Sequence, residues 1–283
     1  MRNKKFTLAK RPICQWLLFV FMLLLAIILV TPILWLFSAS FQNNADIYKT
    51  SFDWIPKTFH IENYVNAWNI AKLGSAFQTT VFVSAIMLCF HLFLCSLSGY
   101  VIAKYHFRFK KLILTLIMAT MMLPQEVTYF PVYSLMREMH LINTYFGLAF
   151  PFFVSGIGVF LMVQFAQYVP TEVIESARID GCGEWRIFFK IGFPIMIPSV
   201  SALAILAFTF IWNEYAWARL AVSSDSMRTL SITLSMLANN SDNVIRTVEL
   251  LAGGVITMLP VLILFLCFQK NFIESVTRSG LKG

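Results

Sequence analysis

Residues 169–194 read Val169-Pro170-Thr171-Glu172-Val173-Ile174-Glu175-Ser176-Ala177-Arg178-Ile179-Asp180-Gly181-Cys182-Gly183-Glu184-Trp185-Arg186-Ile187-Phe188-Phe189-Lys190-Ile191-Gly192-Phe193-Pro194. The segment is charged and helically periodic, and it is too polar to cross a membrane, yet long apolar runs lie on both sides of it. Pro170, Glu172 and Glu175 suit the first turns of a helix, where a missing amide hydrogen is no loss and negative charge meets the positive end of the helix dipole. Gly181 and Gly183 stop that helix, because glycine supplies the left-handed conformation a tight ending needs. Trp185, Phe188 and Phe189 at i, i+3 and i+4 predict a second short amphipathic helix, with Pro194 and Pro198 marking the start of the next apolar run. The predicted element is a short helix-turn-helix. Its face of Val173, Ala177 and Ile179 suits a groove in another protein. With Arg178, Arg186 and Lys190 it equally suits an amphipathic helix lying at a membrane surface.

The flanks decide the fold class. The 283 residues are 58% hydrophobic and only 13% charged, against about 25% charged in an ordinary soluble domain. The charges also cluster: none falls between Arg11 and Asp46, Lys72 and Lys104, Glu138 and Glu172, Lys190 and Glu214, or Glu249 and Lys270. A sixth window, Leu112 to Met136, holds only Glu126. About 20 apolar residues span the hydrocarbon layer as a helix, so each window crosses once. The prediction is an all-α membrane protein of one transmembrane domain, 1–283, with six helices at about 13–39, 76–103, 112–136, 143–168, 198–220 and 250–269. The first window follows a basic stretch, as a signal peptide does. It is too long for one and ends in Ala39-Ser40-Phe41 without a convincing cleavage site, so a retained helix is expected.

Basic residues stay on the cytoplasmic side of short loops. Placing the N-terminus inside leaves 15 of the 22 Lys and Arg residues on inner segments and seven outside, so both termini and the 169–195 loop are expected in the cytoplasm. This bias, with attraction to anionic lipid headgroups, accounts for the net charge of +8 and gives no ground for nucleic-acid binding. Cys14, Cys89, Cys95 and Cys267 sit in or at apolar helices as small hydrophobes, and Cys182 stands alone in its loop. The outer segment from about 40 to 75 carries Trp54, Pro56 and Tyr64, suited equally to an interfacial anchor or a partner surface. For the Ser- and Asn-rich stretch from 221 to 249 the sequence favours neither a solvated loop nor one dipping inward.

The spacing Glu175-Ser176-Ala177, three residues, Gly181, nine residues, Ile191-Gly192-Phe193-Pro194 resembles the EAA loop of ATP-binding-cassette importer permeases, E-A-A-x3-G-x9-I-x-L-P. Ser176 and Phe193 are the only departures, a small residue for Ala and an apolar one for Leu. Phe52-Asp53-Trp54-Ile55-Pro56, Glu62-Asn63-Tyr64, Met122-Leu123-Pro124, Trp212-Asn213-Glu214-Tyr215 and the tail from Gln269 to Gly283 are similar to the carbohydrate-uptake branch of that family. The short N-terminus and six helices resemble its smaller, second permease subunit. The resemblance covers essentially the whole chain. It implies a subunit of a binding-protein-dependent sugar importer in a bacterial cell membrane. Its implied partners are a homologous permease, two cytoplasmic ATPase subunits and an extracytoplasmic solute-binding protein. It further implies that Glu175, Ser176, Ala177, Asp180, Gly181, Ile191 and Pro194 form the element that docks in an ATPase cleft, with the tail from Ser279 to Gly283 a weaker second contact.

No cofactor or metal site is expected in this chain: the sequence has no G-x4-G-K-[ST] phosphate loop, no HExxH, no GxSxG and no zinc spacing, so ATP must be bound and hydrolysed by a partner. No catalytic residue is expected either. Glu126, inside a span, is expected to line a path or to meet another helix, since a charge at the bilayer centre costs about 2.5–3.5 kcal/mol on insertion scales. Pro124, Gln125 and Thr128 beside it suit a broken, water-lined segment. Trp212, Asn213, Glu214 and Tyr215 are candidates to contact sugar hydroxyls or to gate the path. A secondary transporter would need several buried ion ligands, and Glu126 alone is available. A polyol phosphate such as glycerol phosphate is the runner-up cargo.

Overall fold

The computed structural model describes residues 13–49, 53–239 and 246–280. The basic N-terminal segment 1–12, Phe52 and the last tail residues Leu281, Lys282 and Gly283 lie outside the described residues.

Among the described residues the regular structure is all helical. Helix α1 (Ile13–Ser40) leads through a short turn α2 (Asn44–Ile47) to α3 (Glu62–Ile70), and α4 (Leu73–Lys104) follows at once. Then come α5 (Lys110–Thr120), α6 (Gln125–Glu138), α7 (Tyr145–Ala149) with a 3₁₀ turn over Phe150–Phe152, and α8 (Gly156–Ala166). The 169–194 stretch gives α9 (Thr171–Ile179) and α10 (Glu184–Ile187), then a π turn over Phe188–Gly192 and α11 (Phe193–Trp212). The chain closes with α12 (Ala216–Ala221), α13 (Leu230–Ala238) and α14 (Thr247–Gly280).

Among the described residues four helices are long and apolar enough to cross a membrane: Gln15–Ser40, Leu73–Lys104, Glu184–Trp212 and Thr247–Gln269. Two bent pairs bring the number to six if each counts as one span. Helices α5 and α6 meet at 102°, and the α7 segment meets α8 at 54°. The windows expected as single helices over 112–136 and 143–168 are therefore broken. The reason is local: Pro124 precedes α6 in an extended conformation (ψ 131°) that a helix cannot continue through, and Ser155, also extended, caps α8 by accepting the Gly158 N–H at 3.0 Å. Breaking the second helix frees the Phe152 carbonyl, and the buried His91 of α4 donates Nδ1–H to it at 2.7 Å.

Two further boundaries differ from expectation. The second arm of the helix-turn-helix is not a separate helix but the start of the next long one, running from Glu184 to Trp212. Pro194 falls in the first turn of α11, where it is tolerated, and the π turn before it takes up the irregularity. This helix also ends at Trp212 rather than near 220. The polar 221–249 stretch is not simply solvated: α13 buries Leu230, Ile232, Thr233 and Leu237, and Thr80 of α4 accepts the Leu230 N–H at 2.9 Å.

Helix α4 is the hub. It packs along α8, and also against α7, α11, α13 and α3, while α14 holds α1, α3 and α11. The α4–α8 crossing is closest at Gly99, where an added Cβ would lie 2.4 Å from Met162 Cβ and 2.6 Å from its carbonyl carbon. The face of α1 is open along nearly its whole length.

Candidate functional site

Helix α9 ends in a complete Schellman turn. Gly181 has φ +79°, the left-handed value glycine adopts without a Cβ penalty. The Gly181 N–H donates to the Arg178 carbonyl at 3.0 Å and the Cys182 N–H to the Ala177 carbonyl at 2.9 Å, which satisfies the carbonyls a helix end leaves open. The apolar contact that accompanies such turns is present too, because Ala177 and Cys182 belong to one packed cluster.

A side-chain clip then closes the turn from outside. The Arg178 guanidinium donates to both Glu184 carboxylate oxygens, at 2.7 and 3.3 Å, and the Tyr105 hydroxyl donates to the same carboxylate. The guanidinium also lies over the Tyr105 ring, 5.4 Å from its centroid. Burial, and then the bond to Glu184, push the Tyr105 phenol above its ordinary value, so it stays a donor well into the alkaline range. The clip ties the ends of α4, α9 and α10 together.

The seat below is apolar. Ile174 and Ala177 of α9, Ile187 of α10 and Phe188 are buried with Tyr100 and Ile102 of α4, Ala166 at the end of α8 and Val169 just after it. Gly192 presses bare backbone onto the Tyr100 ring, where an added Cβ would sit 2.7 Å from Cε2. Ala177 therefore turns inward, not outward as the sequence suggested, and the aromatic triplet splits: Phe188 is buried, while Trp185 and Phe189 stack on each other at 6.1 Å in the open. Glu175, Ser176 and Asp180 are exposed, and Ser176 Oγ donates to the Glu172 carbonyl at 2.8 Å. Ile191 is half-buried against the cluster and Pro194 is exposed. At the tip, Ile179 is 87% exposed. The motif residues thus form one rigid knuckle. Tyr105, Glu184, Tyr100 and Gly192, which complete it, carry no sequence signal: Tyr105 and Glu184 meet across 79 positions.

The candidate path residues do not form one surface. Trp212 is a core residue, 4% exposed, wedged against Phe77 and Phe208 with its indole N–H donating to the Thr257 carbonyl of α14 at 3.0 Å. Glu214 caps α12 by accepting the Trp217 N–H at 2.7 Å, and its carbonyl accepts from Ser231 Oγ at 2.7 Å. Asn213 and Tyr215 are exposed; Asn213 donates to the Thr209 carbonyl and Ser235 Oγ to the Tyr215 hydroxyl. This quartet is a joint between α11, α12 and α13. Glu126 is exposed in the first turn of α6, one turn before Tyr129, whose ring packs on Trp217 of α12 at 5.8 Å.

Comparison with known proteins gives one answer. Residues 95–278 match the family described as binding-protein-dependent transport system inner membrane component. The arabinooligosaccharides transport system permease protein AraQ of Halalkalibacterium halodurans is 36% identical over 96% of this chain and 98% of its own. The sn-glycerol-3-phosphate transport system permease protein UgpE of Shigella flexneri is 28% identical over 91% and 94%. Among solved structures, a chain of a bacterial ABC transporter involved in the import of the acidic polysaccharide alginate superposes with a TM-score of 0.80 at 20% identity, covering 95% of this chain and all of that one. The chain belongs to the family of binding-protein-dependent transport system inner membrane components.

Proposed function

We propose that this chain is the second permease subunit of an ATP-driven sugar importer in a bacterial cell membrane, supplying half of the translocation path. It pairs with a homologous permease, two cytoplasmic ATPase subunits and an extracytoplasmic binding protein. In this reading each bent pair counts as one span, making six, with both termini in the cytoplasm. The 169–195 knuckle is the coupling element: its exposed tip of Glu175, Asp180 and Ile179 docks in the ATPase. The supporting observation is rigidity. A helix end fixed by a Schellman turn, clipped through Arg178 and Glu184 to Tyr105 and joined by that turn to a 29-residue helix transmits a rigid-body motion that a flexible loop would absorb. Nucleotide-driven closure of the ATPases would then rock α11 through α10. The alternating-access cycle needs no chemistry in this chain.

The test is a cysteine-reactive crosslink from Cys182 to the ATPase, with Gly181→Pro and Glu175→Lys as variants. Proline lacks both the N–H that bonds Arg178 and access to positive φ. Both variants are expected to insert in the membrane and to lose ATPase co-purification and transport. No crosslink, or normal transport by both, overturns the coupling role.

A further inference from the structure

The two broken spans face each other. The α5–α6 break and the break before α8 are in contact: an added Cβ on Gly156 would lie 2.7 Å from Met121 Cγ, 2.9 Å from Thr120 Oγ1 and 3.0 Å from the Ile117 carbonyl oxygen. Beside this contact lies a cavity of about 430 Å³ lined from one break by Thr120, Met121, Gln125 and Thr128 and from the other by Ser155 and Ile157. A second cavity of about 270 Å³ shares Gln125, Ser155 and Ile157 and reaches His91. Non-helical backbone at membrane depth is tolerated only where it is buried in protein or lines a water-filled space. Two breaks meeting at one recess, open to the surface of this chain, set a few polar groups into a largely apolar wall.

The hydrogen-bonding capacity left over there is specific. Thr120 and Thr128 spend their hydroxyl protons on the Ile117 and Gln125 carbonyls at 2.6 and 2.7 Å, leaving oxygen lone pairs free to accept. Ser155 does the reverse: its oxygen accepts the Gly158 N–H at 3.0 Å, leaving its proton free to donate. Gln125 offers an amide that both donates and accepts. Met121 and Ile157 add apolar wall, and no charged side chain lines the cavity among the described residues. Glu126, adjacent in sequence to Gln125, is the nearest ionisable group along the chain.

We infer that the cavity between the two helix breaks is a binding subsite for an uncharged carbohydrate, contacted by Thr120, Gln125, Thr128 and Ser155. Neutral donors and acceptors over an apolar wall match sugar hydroxyls and ring faces. A phosphorylated polyol would find no cation in this lining. This inference rests on the importer reading above and chooses between its two cargo classes.

The experiment uses the whole transporter, with partners and binding protein, in proteoliposomes loaded with ATP. It is offered separately arabinotriose, raffinose and diacetylchitobiose as neutral probes and sn-glycerol 3-phosphate as the charged one. The expected result is ATP-dependent uptake of a neutral probe, with a maximal rate lowered about tenfold in Gln125→Leu with Ser155→Ala, as the loss of two hydrogen bonds to the sugar predicts. The milder pair Gln125→Ala and Thr128→Val guards against misfolding, with ATPase co-purification as the assembly check. Uptake of glycerol phosphate, or neutral uptake unaffected by both pairs in assembled transporters, overturns the subsite and leaves the importer reading standing. Uptake of none of the probes overturns the sugar-importer reading and the subsite with it, whereas the Cys182 crosslink tests the coupling reading independently.

Discussion

At the scale of single residues, three glycines do different work. Gly181 is conformational: an added Cβ would meet nothing within 4 Å, so its cost is the left-handed backbone alone, about 1–2 kcal/mol. Gly181→Ala is accordingly expected to weaken ATPase co-purification while membrane insertion and the detergent melting temperature change little. Gly192 is steric. Gly192→Ala drives a methyl into the Tyr100 ring, and the expected loss of transport should be partly restored in the Gly192→Ala, Tyr100→Leu double variant; equal loss in single and double variants would show that the close approach is not what matters. The sequence announces the first glycine, because it ends an amphipathic run, and not the second, because its partner lies 92 positions away on α4. Trp212 is a similar case. A Trp-Asn-Glu-Tyr cluster near the end of an apolar run looks like a ligand surface, and only the Thr257 carbonyl across the bundle shows that its indole is spoken for.

Elements explain what isolated residues cannot. The clip of Arg178, Glu184 and Tyr105 joins partly exposed groups, with the Arg178 and Glu184 side chains 38% and 49% accessible, so it contributes modestly to stability. A double-mutant cycle on Arg178→Ala and Glu184→Ala should return a coupling energy of about 0.2–1 kcal/mol in unfolding. The same cycle read in transport should couple more strongly if the clip's task is to hold the knuckle's shape. Periodicity and proline made α9, its glycine stop and the weakness at Pro124 legible in the sequence. What stayed hidden was how strongly each break bends, because a 102° turn is fixed by what packs around it, namely Gly156 against Met121. The merging of α10 into α11 was hidden for the opposite reason: Pro194 reads as a boundary, yet the π turn just before it takes up the proline and lets the helix run on. Helix α13 escaped because its nine residues mix Leu and Ile with Ser and Thr in a run too short to stand out from the polar stretch around it, and packing against α4 and α14 is what buries Leu230, Ile232, Thr233 and Leu237.

Across the whole molecule, α4 carries the α8 contact, the His91 bond to the broken helix and the Tyr100 seat of the knuckle. Widening the α4–α8 crossing should be felt everywhere. Gly99→Leu is expected to lower the detergent melting temperature and the membrane yield sharply, whereas Leu206→Ala on the open face of α11 should not. The asymmetry of basic residues makes a separate prediction about orientation: in intact cells a membrane-impermeant maleimide should label a cysteine introduced at Ser223 and spare Cys182, and the reverse pattern would invert the topology. The π turn over Phe188–Gly192 has a consequence for this arrangement. It inserts one residue's worth of rotation into an otherwise continuous helix, so everything before it is phased about 100° away from where a plain helix would put it. Deleting Ile191 would straighten the helix and carry Glu184 and Arg178 together away from Tyr105, so that the 171–187 end would point in a new direction from an unchanged rod; the bulge works as a phase setting.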